Sequence, residues 1–332
     1  VDTTSSFKEP GDMHIAENLL DLIGHTPMVA LNRINDTNVR ILVKLEYLNP
    51  VGSIKDRVGL HLVEEAERQG ALKPGMTVVE PTSGNTGMGL ALAALLKGYQ
   101  LVCTMPDKVS PDKILLLQAF GAETVICPTS VAPEDPRSYY SVARRIAQER
   151  NGFMPNQYEN QANPQTHYKT TGPEIWEQVG GELDAFVCGA GTGGTITGIG
   201  RYLKEQDPNI KVVAVDPEGS MIYTEFYKQP HDVHTYVIEG IGEDLIPKTL
   251  DLGVIDEVIR VSDKEVHLFC RELLKADGLF LGSSGGAAIL GALRYARTID
   301  GGTMVVVVPD SGRNYLNRVF NDDWMREKGF LD

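Results

Sequence analysis

Short apolar runs alternate with amphipathic stretches along most of this chain. Asn18–Gly24 reads as a short helix closed by Gly24, Met28–Leu31 as an extended segment after His25-Thr26-Pro27, and Arg40–Leu45 as a strand. A helix-forming run follows from Arg57 to Gln69. From Thr77 a strand–loop–helix rhythm sets in. Thr77–Glu80, Leu101–Met105, Thr124–Cys127, Ala185–Cys188, Lys211–Val215, Glu257–Val261 and Thr303–Val308 read as strands. Between them, Met88–Lys97, Pro111–Phe120, Ser138–Arg150, Pro173–Val179, a run from the loop Gly189–Gly194 to about Gln206, Lys264–Ala276 and Ala287–Thr298 read as helices. Met154–Gln165 reads as a polar bridge. Strands that alternate with helices and include fully apolar runs such as Met304–Val308 predict an α/β fold with a parallel sheet covered on both faces. Ligands of such sheets sit at the carboxyl ends of the strands, where this chain carries its glycine-rich loops.

The 332 residues suit two domains or one large α/β unit, and 42% hydrophobic residues supply an ample core. A net charge of −14 argues against nucleic acid or an anionic membrane as the main partner. No apolar run is long enough to span a bilayer, and the N-terminus has no signal-peptide pattern. The chain starts at Val1 rather than Met, which implies processing or trimming. Cys103, Cys127, Cys188 and Cys270 are far apart and form no CxxC pair, so free buried thiols in a reducing cytoplasm are expected. His231 and His234 lie in a polar connector with no cysteine nearby, and no metal is expected there. His25 reads as structural and Glu64–Arg68 as a solvated helix face.

Leu48–Arg57, LNPVGSIKDR, places Lys55 after a Gly-Ser turn and at the start of a helix. The positive end of the helix dipole depresses an ammonium pKa there, and a neutral amine can form an imine with a carbonyl. The plainer reading is a solvated lysine paired with Asp56. Pro81–Gly87, PTSGNTG, offers two glycines and the donors Thr82, Ser83, Asn85 and Thr86 near a helix N-terminus, which suits a small anion such as a carboxylate. An ordinary N-cap needs only one or two of those polar residues.

Gly189–Thr195, GAGTGGT, also joins a strand to a helix and can surround a phosphate. It has a rival reading. Gly189-x-Gly191-x-x-Gly194 matches the dinucleotide fingerprint, and Asp216 ends the next strand where a ribose-binding acid belongs. The NAD reading leaves Lys55, PTSGNTG and the serine loop Leu281–Gly286 without work. A phosphate-only loop lets all four act on one cofactor. Ser284, in LGSSGG, is an N-cap or else the partner of a pyridine ring nitrogen. A neutral hydroxyl leaves that nitrogen largely unprotonated, and the weaker electron sink favours β-elimination over transamination.

With these residues in place, the sequence resembles the fold-type II pyridoxal-phosphate enzymes of the cysteine synthase/cystathionine β-synthase group from about Ile23 to Leu331. NPVGSIKDR, EPTSGNTG and GTGGTITG carry the resemblance. It implies Lys55 as the Schiff-base lysine and Gly191, Thr192, Gly193, Gly194 and Thr195 as the phosphate cup. It also implies Asn85 on the cofactor's 3′ oxygen, Ser284 on the ring nitrogen, and Thr82, Ser83, Thr86 and Gln157 on the amino-acid carboxylate. Asn156-Gln157-Tyr158, Asp216–Ser220 (DPEGS), Tyr236–Gly242 (YVIEGIG) and Pro309–Trp324 resemble cystathionine β-synthases more than plain cysteine synthases. Tyr158 then gains a catalytic role as a polar handle on the leaving hydroxyl or the second substrate. Gly240 joins the substrate-binding residues, with Glu239 and Ser220 as further candidates. Three departures qualify the likeness. There is no cysteine before Cys103, so no haem is expected. Glu243 stands where the animal enzymes have tyrosine. The sequence ends at Asp332, so the C-terminal regulatory domain pair of many β-synthases is not expected in this chain.

The resemblance implies two α/β domains, each with an open, mostly parallel twisted sheet: a smaller mobile one over residues 49–155, and a larger cofactor-binding one from 1–48 and 156–332. It implies a cytoplasmic homodimer that joins serine or O-acetylserine to homocysteine through an aminoacrylate. The alternatives are an O-acetylserine sulfhydrylase using sulfide, a cofactor-holding or regulatory partner without catalysis, and, at a distance, an NAD-dependent oxidoreductase.

Overall fold

The computed structural model of the protein describes residues 15–132 and 134–332. Residues 1–14, assigned above to the larger domain, lie outside the described residues. Two sheets organise the rest. The larger has six strands in the order β1 (Met28–Ala30), β2 (Val39–Leu45), β9 (Gly302–Val308), β6 (Ala185–Gly189), β7 (Lys211–Pro217) and β8 (Glu257–Val261). All pairings are parallel except β1 with β2. The smaller is parallel, with the order β3 (Thr77–Pro81), β4 (Gln100–Pro106) and β5 (Glu123–Cys127).

The period of two along each central strand divides the core of the larger sheet. Ile41, Val43, Val187, Val213, Val215, Met304, Val306 and Val308 face one side, where α9 (Asp263–Asp277) and α10 (Ser283–Ala296) pack. Leu42, Phe186, Cys188, Val212, Ala214, Val305 and Val307 face the other, against α6 (Thr171–Gln178) and α7 (Gly194–Gln206). Burial on both faces explains why these strands read as unbroken apolar runs. In the smaller sheet, Val78, Leu101, Cys103 and Met105 pack on α1 (Lys55–Arg68) and α2 (Asn85–Lys97), and Val79, Val102 and Cys127 on α4 (Tyr139–Glu149). The remaining helices are α3 (Pro111–Ala119), α5 (Ala162–Lys169), α8 (Met221–Phe226) and α11 (Asp322–Glu327).

Some boundaries differ from those the pattern predicts. α5 lies in the stretch expected to be a polar bridge. Its buried residues are Ala162, Asn163, Pro164, Thr166 and His167, so small and polar side chains replace an apolar period. α8 and α11 were not expected, and their six residues each are too few for a periodic signal. Asn85 and Ser284 sit inside the first turns of α2 and α10, not in the loops before them. All four cysteines are buried and free, as expected. Among the described residues no helix is long and apolar enough to cross a membrane.

The two sheets meet through α1. A Cβ on Gly59 would lie 2.3 Å from the Gly89 carbonyl carbon, and one on Gly89 would lie 2.2 Å from the Lys55 oxygen. Only glycine lets α1 and α2 approach this closely, and the contact falls beside Lys55. Below it runs a buried ionic network. Arg57 donates to Glu46 at 2.7 and 2.9 Å and to Glu174 at 2.6 and 2.7 Å. Lys44, wholly buried, donates to Glu174 at 2.8 Å, to the Thr26 carbonyl at 2.7 Å and to Gln178 at 2.9 Å. The network ties α1 to β2 and α6. Removing one partner leaves uncompensated buried charge. We expect Arg57→Ala to lower unfolding free energy by about 3–5 kcal/mol, read as a shifted denaturant midpoint at unchanged slope. A loss below about 1 kcal/mol, the level of an exposed pair, would contradict this account.

Candidate active site

A cavity opens at the carboxyl ends of β6 and β9, bounded by the N-termini of α1, α7 and α10. Ile54, Lys55, Cys188, Gly189, Gly191, Thr192, Gly193, Thr195, Gly240, Ile241, Ser284 and Pro309 are among its lining residues. Of the expected site residues, Lys55, Gly191, Thr192, Gly193, Thr195, Gly240 and Ser284 therefore share one wall. Gly194, Asn85, Thr82, Ser83, Thr86, Gln157 and Tyr158 lie outside that lining.

Lys55 is the first residue of α1. Burial pushes its amine down to about 8, against the opposing pull of Glu243 and of Cys188. Asp56 is not its partner. That carboxylate accepts the Val51 N–H at 2.7 Å and the Ser53 hydroxyl at 3.4 Å. The amine is thus held in the cavity with its pKa within about a unit of neutrality.

The glycine loop Gly189–Thr195 is shaped by a residue that the sequence pattern did not reveal. Asn163, fully buried in α5, donates to the Gln157 carbonyl at 2.8 Å and to Thr192 Oγ1 at 3.1 Å. A Cβ on Gly194 would fall 2.1 Å from Asn163 Oδ1, so the start of α7 requires glycine there. Thr195 Oγ1 lies 3.3 Å from His167 Nε2, and Thr249 Oγ1 donates to the Thr192 carbonyl. The loop is held from behind, and the unpaired N–H groups of a helix N-terminus suit an anion.

The PTSGNTG loop and the start of α2 are tied at two points, one at the end of β9 and one in the turn before α5. Asn85 Nδ2 donates to Asp310 Oδ2 at 2.7 Å, and Thr86 Oγ1 donates to Gln157 Oε1 at 2.6 Å. Two more residues escaped the sequence reading here. Buried Glu80 accepts the N–H groups of Asn156 and Gln157 at 2.9 and 3.2 Å and fixes the turn that carries Gln157 and Tyr158. Burial pushes its carboxyl up to about 7. Asp310 also accepts the Tyr315 hydroxyl at 2.6 Å, and burial pushes it up to about 6. Glu80 belongs to the EPTSGNTG run and Asp310 to PDSGRNY, so each had a signal but no role.

Two weaker candidates have other work. Glu239 pairs with Lys113 at 3.0 Å and with Arg318. Ser220 is buried and holds the main chain of Glu243. The dinucleotide reading fails at Asp216. That carboxylate is fully buried and accepts the Tyr223 N–H at 2.9 Å inside α8, so it cannot reach a ribose. Among the described residues no group of three or more His, Cys, Asp or Glu side chains could hold a metal ion.

An amine with a lowered pKa, an anion cradle and the buried Ser284 hydroxyl around one cavity fit a pyridine aldehyde carrying a phosphate. Comparison with known proteins agrees. The profile of the family described as "Pyridoxal-phosphate dependent enzyme" matches residues 19–310.

The chain belongs to that family.

Rabbit (Oryctolagus cuniculus) cystathionine beta-synthase is 46% identical over 323 residues, 96% of this chain and 59% of that protein. Cysteine synthase of Staphylococcus aureus strain N315 is 43% identical over 304 residues, 91% of this chain and 96% of that protein. The solved cysteine synthase of Entamoeba histolytica superposes with a TM-score of 0.87 at 36% identity, covering 95% of this chain and 93% of that one. The fold is that of the fold-type II pyridoxal-phosphate enzymes, and pyridoxal phosphate is the cofactor of the group. The chain spans 57% to 64% of the length of the cystathionine beta-synthases it matches.

The Gly194 contact gives a test of the cradle. Overpacking costs about 1–3 kcal/mol, so Gly194→Ala should weaken pyridoxal-phosphate binding about tenfold or more, read by absorbance titration of the apoprotein. Affinity within twofold of wild type would contradict the assigned cradle.

Proposed function

We propose that the chain catalyses a β-replacement in which the hydroxyl of L-serine, or the acetoxy group of O-acetyl-L-serine, is exchanged for the thiol of L-homocysteine to give L-cystathionine. The observation that carries this reading is the Lys55 amine, lowered to about 8 in a cavity shared with the phosphate loop and Ser284. Similarity to cystathionine beta-synthases along 96% of the chain supports the choice of substrates.

Lys55 holds the cofactor, Gly191–Thr195 bind its phosphate, and Asn85 and Ser284 orient its ring. Bound there, pyridoxal phosphate supplies the electron sink that makes an amino-acid α-proton removable. Thr82, Ser83, Thr86 and Gln157 receive the substrate carboxylate. The Asn85–Asp310 and Thr86–Gln157 bonds hold this loop against the end of β9 and the turn before α5, which supports its role over the substrate. The smaller domain moves against the larger one, closing the cleft and excluding water. Once displaced by the substrate amine, Lys55 takes the α-proton and hands it to the departing hydroxyl, which leaves as water. The thiol gives up its proton as sulfur bonds to the β-carbon, and that proton reaches the α-carbon through Lys55. Tyr158 orients the oxygen that leaves.

A second reading uses sulfide as nucleophile and O-acetylserine as donor. It is favoured by a cysteine synthase that the chain covers over 96% of its length. Steady-state kcat/KM with each donor–nucleophile pair separates the two. Homocysteine with serine should lead; a clear preference for sulfide with O-acetylserine would overturn the first reading. Lys55→Ala should lose about 10³-fold or more in turnover with every pair, because positioned proton transfer contributes about 10²–10⁴. Substantial activity in that variant would refute its role as base.

A further inference from the structure

No step of the reaction above uses Asp310, yet it stands where three helix starts meet. It follows Pro309, a cavity-lining residue just past the end of β9. Its main chain is fixed by two of those starts. Ser53, two residues before Lys55, forms an antiparallel bridge with it, and the Ile54 N–H donates to the Pro309 carbonyl at 2.9 Å. The N–H of Gly282, the residue that caps α10, donates to the Asp310 carbonyl at 3.4 Å. The third start is reached by the side chain, which belongs to a residue only 1% exposed. Its Oδ2 accepts Nδ2 of Asn85, the first residue of α2, at 2.7 Å and the Tyr315 hydroxyl at 2.6 Å. Among the described residues its buried Oδ1 has no hydrogen-bond partner and packs against Gly282, where a Cβ would fall 2.3 Å away.

A buried carboxyl with one oxygen left unpaired is costly to keep. What it adds here is direction. A carboxylate oxygen only accepts hydrogen bonds, whereas an amide has an accepting end and a donating end. Asn85 cannot turn its amide round, because its Oδ1 would then face the carboxylate oxygen that now accepts Nδ2. Tyr315, donating to the same Oδ2, holds that oxygen in place. An Asn85 amide fixed in this sense keeps a second N–H on Nδ2 free to donate. We propose that Asp310 is a positioning residue for the cofactor: it locks the Asn85 amide so that Asn85 offers the 3′ oxygen a hydrogen-bond donor and never an acceptor. The proposal rests on the reading above that puts Asn85 on that oxygen. A donor of fixed sense suits an ionised 3′ oxygen, which can only accept. Because Asp310 shares main-chain contacts with Ser53 and Pro309, it also sets Asn85 at a defined place relative to Lys55.

The test is absorbance titration of the full chain, stripped of cofactor, with pyridoxal phosphate and with 3-deoxypyridoxal phosphate, which lacks the 3′ oxygen. Burial pushes the Asp310 carboxyl up to about 6, so at about pH 8 it is ionised. In Asp310→Asn, which keeps the volume but lets both amides turn, affinity for pyridoxal phosphate should fall about tenfold, while affinity for the 3-deoxy compound should stay within about twofold of wild type. Asn85→Ala should show the same selective loss, and adding Asp310→Asn to it should cost nothing further. Equal losses for the two compounds in Asp310→Asn, or a further loss in the double variant, would mean a structural role and overturn the proposal. Where Asp310→Asn does not fold, Asp310→Ser is read against the same two compounds with the same expectation. An Asn85→Ala variant that binds both compounds as wild type does overturns the placement of Asn85 and this proposal together. A selective loss in Asn85→Ala beside none in Asp310→Asn overturns this proposal alone.

Discussion

Surrounding the Lys55 amine with protein at the start of α1 is the constraint around which this structure is arranged. An ammonium loses hydration when buried, and its neutral form gains in proportion. The start of α1 adds an unfavourable dipole. Asp56, the adjacent carboxylate, is turned onto the main chain of Val51 and the hydroxyl of Ser53. The glycine contact between α1 and α2 and the ionic network of Lys44, Glu46, Arg57 and Glu174 then hold the helix that carries the amine. Buried pairs of this kind add little net stability compared with an apolar core. Their value here is positional: Arg57 lies two residues from Lys55 and is clamped on two sides.

The same economy places the helix starts. Helices α1, α2, α7 and α10 all begin near the carboxyl edges of their sheets, as parallel α/β architecture requires. Their first turns carry Lys55, Asn85, Gly194 and Ser284 respectively. The starts of α1, α7 and α10 meet at one cavity, and Asn85–Asp310 brings the start of α2 beside it. The link Asn85–Asp310 joins the helix after β3 to the end of β9, and Thr86–Gln157 ties the same helix to the turn before α5.

Much of this was legible in the sequence because strand–glycine loop–helix junctions are local. The runs around Lys55, Gly84 and Gly191 announce tight turns next to helix starts, and β2, β6, β7 and β9 announce themselves as apolar runs. The rest depends on partners far along the chain. Asn163 is an unremarkable residue of a polar stretch until it meets Thr192, and Glu80 until it meets the turn at Asn156. α5 buries small and polar side chains and so has no hydrophobic period. Asp216 shows the converse. Its spacing fits a ribose-binding acid, yet the strand runs on to Pro217 and turns the side chain into α8.

The most direct test of the central claim is reduction of the pyridoxal-phosphate-loaded protein with borohydride, followed by peptide mass mapping. The account predicts a single phosphopyridoxyl adduct on the peptide containing Lys55, in near-stoichiometric yield, with no comparable label on Lys44 or Lys113. No adduct, or one placed on another lysine, would contradict it.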